Sequence, residues 1–76
     1  MTTTTPPTLS YREWQILELL ANGKSNKEIA DELAIAVHTV ETHLRNVYRK
    51  LAVTKRVGAC QWYWAHQQYW KNTGNP

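Results

Sequence analysis

Residues 25–53 read SNKEIADELAIAVHTVETHLRNVYRKLAV. Two runs of apolar residues at helical spacing lie in this stretch, with only a few residues between them. Ser25 and Glu28 make a capping box at the start of the first run, NKEIADELA, whose inward face is Ile29, Ala30 and Leu33. The second run, HTVETHLRNVYRKL, keeps Val40, Leu44, Val47, Tyr48 and Leu51 at helical spacing. Two helices joined by a tight turn can cross steeply and set the second into the major groove of DNA. Ala30 is small enough to let them approach, and Ile29, Leu33, Ile35 and Val40 supply the shared core. Opposite that core, the second helix carries Glu41, Thr42, Arg45, Asn46, Arg49 and Lys50. Those groups can reach base edges and phosphates. The acids of the first helix, Glu28, Asp31 and Glu32, fall mostly away from that surface.

Outward from this pair, LSYREWQILELLANG precedes it. Ser10 and Glu13 form another capping box, and Leu9 and Trp14 occupy the staple positions. Trp14, Leu17, Leu20 and Ala21 share a face, widened by Ile16 and Leu19, and Asn22-Gly23 supplies a left-handed stop. A first helix is therefore expected from about residue 11 to 22. After residues 52–54, Thr54 is a candidate cap for a fourth helix starting near Lys55. There is no sustained alternation and no hairpin dipeptide, so the fold class is all-α with four helices. MTTTTPPT reads as a disordered Thr/Pro arm (1–8), residues 9–71 as one domain, and residues 72–76 as a frayed tail.

A chain of 76 residues holds at most one small domain with a marginal core. All six acidic residues lie from Glu13 to Glu41, whereas from Arg45 onward every charged residue is Arg or Lys. That one-sign half suits a polyanion, although a solvated charged face has the same signature. The single cysteine can form neither an internal disulfide nor a zinc site. The N-terminus lacks the regions of a signal peptide, and no apolar stretch is long enough to span a bilayer. A cytoplasmic, nucleoid-associated location is expected, with no membrane partner. His38, His43 and His66 stand without nucleophile or metal spacing, and no phosphate-cradling loop is present. No catalytic residue, metal site or cofactor is expected.

The segments LSYREWQIL, ANGKSNKEIADELAI, TVETHLRNVYRKLAV and RVGA, in this order and spacing, resemble the LuxR/GerE-type DNA-binding domain over about two thirds of the 76 residues. The resemblance implies a four-helix domain whose third helix reads the major groove and whose fourth mediates dimerisation. It implies base contacts from Glu41, Thr42 and Arg45, and backbone contacts from Asn26, Lys27, Thr39, Arg49 and Lys50. It makes Glu13 a cap or internal ion-pair partner, Leu17 and Gly23 structural positions, and His43 a packing residue. Three positions depart from the family pattern. Glu41 stands where Lys is common, Ala36 where Ser or Thr usually caps the third helix, and Ala34 in a turn where Gly is frequent. The family usually sets this domain behind a receiver or ligand-binding domain, and this chain reads as a stand-alone member.

The fourth helix is apolar almost all round. A helix of so small a domain cannot bury every face in its own core. Ala59, Tyr63 and Trp62 are expected to face inward. Val57, Cys60, Gln61 and Trp64 share another face, which the resemblance makes the dimer interface. Cys60 reads first as a small apolar filler; near a two-fold axis it could instead pair with its own copy. The leading function is a homodimeric transcriptional regulator on a two-fold site in double-stranded DNA, with RNA polymerase as a further candidate partner. The alternative is a small protein-binding adaptor that uses the same fold and the aromatic fourth helix.

Overall fold

The computed structural model describes the backbone of residues 8–72 and the side chains of residues 8–66. The greater part of the expected arm and tail lies outside the described residues. Four helices follow in order: α1 (Tyr11–Ala21), α2 (Asn26–Leu33), α3 (Val37–Leu51) and α4 (Arg56–Asn72). Among the described residues there is no strand. The helix α1 packs against the other three, while α3 also packs against α2 and α4.

Local chemistry places the helix starts. Ser10 and Ser25 are both extended, and each hydroxyl accepts from an amide three residues on, Glu13 N at 3.0 Å and Glu28 N at 3.1 Å. The two glutamates reply, accepting from Ser10 N at 2.9 Å and Ser25 N at 2.8 Å. Four otherwise unpaired amides are satisfied this way. In contrast, α3 begins behind Ala36, which has the extended geometry of a cap but no side chain to complete it. The helix α4 starts at Arg56, and the carbonyl of Lys55 accepts from Ala59 N at 3.3 Å. Lys55 thus holds the cap position, and Thr54, the expected cap, lies one residue too early.

All three described turns close in one way. After α1, Gly23 N donates to Leu20 O at 3.0 Å and Lys24 N to Leu19 O at 3.1 Å, with Gly23 at φ +90°. After α2, Ala34 N donates to Asp31 O at 3.3 Å and Ile35 N to Ala30 O at 3.0 Å. After α3, Ala52 N donates to Arg49 O at 3.2 Å and Val53 N to Tyr48 O at 3.0 Å. This paired closure needs a left-handed residue. Ala34 and Ala52 therefore sit at φ 58°, where a Cβ costs roughly 1–2 kcal/mol. Ala34, in the turn where the family pattern favours Gly, is thus left-handed, and α2 ends at Leu33 rather than running through Ala34.

The core is Trp14, Ile16, Leu17 and Leu20 of α1, Ile29 and Ala30 of α2, Val40, Leu44, Val47 and Leu51 of α3, and Ala59 and Tyr63 of α4. Leu9, Leu33, Ile35 and Trp62 are half-buried against it. Trp14 meets the edge of Tyr63 at 85° and 5.5 Å, an arrangement that aromatic quadrupoles favour. Gly58 lets α4 start close to the turn that follows α3, because a Cβ there would lie 3.1 Å from Val53 Cβ.

Candidate nucleic-acid interface

One side of α3 is buried through Val40, Leu44, Val47 and Leu51, so the other side must face away from the core. Glu41, Arg45 and Arg49 stand exposed on it at four-residue intervals, one above another. Thr42 is half-buried, and its hydroxyl donates to the His38 carbonyl at 3.1 Å. The Arg49 guanidinium donates to Asn46 Oδ1. Thr39 is half-buried in the first turn of α3, its amide donating to Ala36 O at 3.0 Å. His43 is half-buried.

The start of α2 comes up beside this face. Asn26, Glu41, Leu44, Arg45 and Tyr48 line an open cleft of about 300 Å³. Asn26 Oδ1 is buried there without a hydrogen-bond partner among the described residues. Burial pushes the Tyr48 phenol above its usual range, against the pull of the Arg56 charge. Lys27 is exposed and lies 3.6 Å from Asp31 across solvent, a pairing of little energetic weight. The folded chain therefore brings Asn26 together with Glu41 and Arg45.

Lys50 is placed differently. Its Nζ lies 2.8 Å from Glu13 Oε1, a carboxylate only 7% exposed. Burial alone would raise the Glu13 pKa. The hydrogen bonds from Lys50 and the Ser10 amide, with the Lys50 charge, together outweigh it and hold the carboxyl below its usual range. Glu13 is thus a cap and an internal ion-pair partner at once. Both roles were expected as alternatives.

The other candidate surface is on α4. Val57 is 60% exposed, Trp64 is 51% exposed, and Gln61 between them is also exposed. Trp64 Nε1 still donates to the Ala21 carbonyl at 3.3 Å, so the ring has a fixed edge. Cys60 is half-buried, with Sγ 3.6 Å from the Leu20 carbonyl. Arg56 donates to the carbonyl of Lys24. Three α4 side chains thus serve carbonyls at or just beyond the end of α1. The sequence gives no local signal for these pairings. Ala59 and Tyr63 are buried and Trp62 is half-buried, as expected from the inward face.

Residues 7–63 match the family described as bacterial regulatory proteins, luxR family. The chain belongs to that family. Its four helices form a luxR-type helix-turn-helix domain, a DNA-binding module rather than an enzyme. The crystal structure of the response regulator ChrA, from a heme-sensing two-component system, is similar at 39% identity and a TM-score of 0.72. That match covers 87% of this chain and 31% of ChrA. VqmA of Vibrio cholera, solved with ligand and DNA, is similar at 27% identity and a TM-score of 0.72. There the match covers 83% of this chain and 28% of the other. The luxR-family domain described here thus spans about a third or less of either relative's length. Among its described residues no helix is long and apolar enough to cross a membrane.

Proposed function

We propose that this luxR-family domain is a sequence-specific transcriptional regulator that binds a two-fold symmetric DNA site as a homodimer. The observation that carries the reading is the α3 face. Glu41, Arg45 and Arg49 project from a helix locked by four buried residues, with the start of α2 beside it. In this reading α3 enters the major groove, with Glu41, Thr42 and Arg45 toward base edges. Asn26, Lys27, Thr39 and Arg49 flank them toward the phosphates. Lys50 joins them with its remaining donors, since only one is used by Glu13. The exposed Val57, Gln61 and Trp64 on α4 form the stripe that a second copy covers, with Cys60 at its buried margin.

Selection from a randomised duplex library at two salt concentrations tests this. The expected product is two inverted half-sites about one helical turn apart, roughly 10 base pairs. Affinity should fall steeply with salt, as phosphate neutralisation requires. No enriched motif, with only weak binding at low salt, would overturn the reading. A protein-binding adaptor working through α4 would then take its place.

A further inference from the structure

The reading of α3 as a groove-binding helix leaves one residue in an unfavourable place. Glu41 is an exposed carboxylate in the middle of the face meant for a polyanion. Among the described residues it has no ion-pair partner, and neither has Arg45 four residues on. The two side chains edge the same cleft with Asn26. An unneutralised carboxylate next to phosphates is repelled, unless the groove offers it a donor.

The major groove offers such donors. Cytosine presents only its N4 amino group, while adenine sets the N7 acceptor beside its N6 amino group. A carboxylate has two acceptor oxygens and no donor, so the adenine N7 repels it and cytosine does not. A guanidinium has the complementary fork and suits guanine O6 and N7. Residues four apart on a helix lie about 6 Å apart along its axis. Base pairs follow one another at about 3.4 Å, so the two side chains reach positions within two steps of each other.

We infer that Glu41 specifies a cytosine in each half-site and that Arg45 specifies a guanine within two base-pair steps of it. This rests on the DNA-binding reading above. Glu41 then determines which operator this chain selects while lowering its general affinity for DNA.

The test is library selection with the wild type, Glu41→Gln and Glu41→Ala, followed by anisotropy titration of duplexes varied at the selected position. Glu41 is exposed, so the variants should keep the fold, which far-UV circular dichroism checks. The wild type should favour cytosine at one position by on the order of 5- to 100-fold. Glu41→Ala should lose that preference alone and bind nonspecific duplex more tightly. Glu41→Gln should turn the preference to adenine, because an amide matches N6 and N7 together. If Glu41→Ala keeps the wild-type motif at every position and merely binds tighter, Glu41 is a repulsive group and the inference is overturned. If the wild type selects no motif, the regulator reading and this inference fail together. A wild-type motif without the cytosine overturns the inference alone.

Discussion

Replacing Lys50 with alanine removes the ammonium that lies 2.8 Å from the buried carboxylate of Glu13. Breaking one end of a fully buried ion pair costs about 3–5 kcal/mol. Two features of this pair reduce that figure. Lys50 is 40% exposed at its side chain, so water can enter where the ammonium stood. Glu13 also keeps the Ser10 amide at 2.9 Å. The loss should therefore be about 1–2 kcal/mol, near the lower end for a hydrogen bond to a charged group. In a domain of this size that lowers Tm by roughly 5–15 °C. Glu13→Gln keeps an acceptor for the Ser10 amide but removes the charge. A double-mutant cycle of the two, by urea unfolding followed through Trp fluorescence, should show a coupling of about 1 kcal/mol at neutral pH. The sign of the pH dependence follows from the lowered Glu13 pKa. Between the folded and unfolded values the unfolded chain binds more protons, so acid favours unfolding. The coupling should be complete above the ordinary carboxylate range and disappear as pH falls through the folded value. Additivity of the two substitutions within about 0.3 kcal/mol at neutral pH would refute the argument.

Other changes probe the remaining features. Ala36→Ser supplies the cap that α3 lacks and should add ~0.5–2 kcal/mol, read as a higher urea midpoint with an unchanged slope. Ala52→Gly relieves the left-handed strain at φ 58° but adds unfolded-state entropy, so a net gain of ~0.3–1 kcal/mol is expected from thermal unfolding. Arg45→Ala should cost ~1–3 kcal/mol on the best duplex and relax base choice there; unchanged affinity on that duplex would mean that α3 is not in the groove. Trp64→Ala, at a ring 51% exposed, should shift sedimentation velocity toward monomer and weaken the two-half-site duplex more than a single half-site. An unchanged sedimentation profile would overturn α4 as the proposed dimer interface.

Much of this architecture is encoded within a few residues. The pairs Ser10–Glu13 and Ser25–Glu28 announce two helix starts, because a cap and its reply lie in one turn. Val40, Leu44, Val47 and Leu51 announce the buried side of α3 and therefore the exposed side, since the helical period ties one to the other. The uncapped start at Ala36 and the turn at Ala34 were legible only through the resemblance, which sets Ser or Thr and Gly at these positions. Ala52 was not: alanine carries no preference for its conformation, which is imposed by closure of Val53 N onto Tyr48 O.

The partners of long side chains are a different matter. Lys50 finds Glu13 across 37 residues, and Arg56 reaches back to Lys24 over 32. Cys60 and Trp64 settle on carbonyls of α1 over 40 and 43 residues. Asn26 meets Glu41 and Arg45 in one cleft only because α2 and α3 cross where they do. Helical periodicity fixes which way a side chain points from its own axis, but not where another axis passes. Sequence alone therefore determined the helices, most of their ends and the face of α3. The crossing of the helices decided which charges on that face stay free and which are held by the fold.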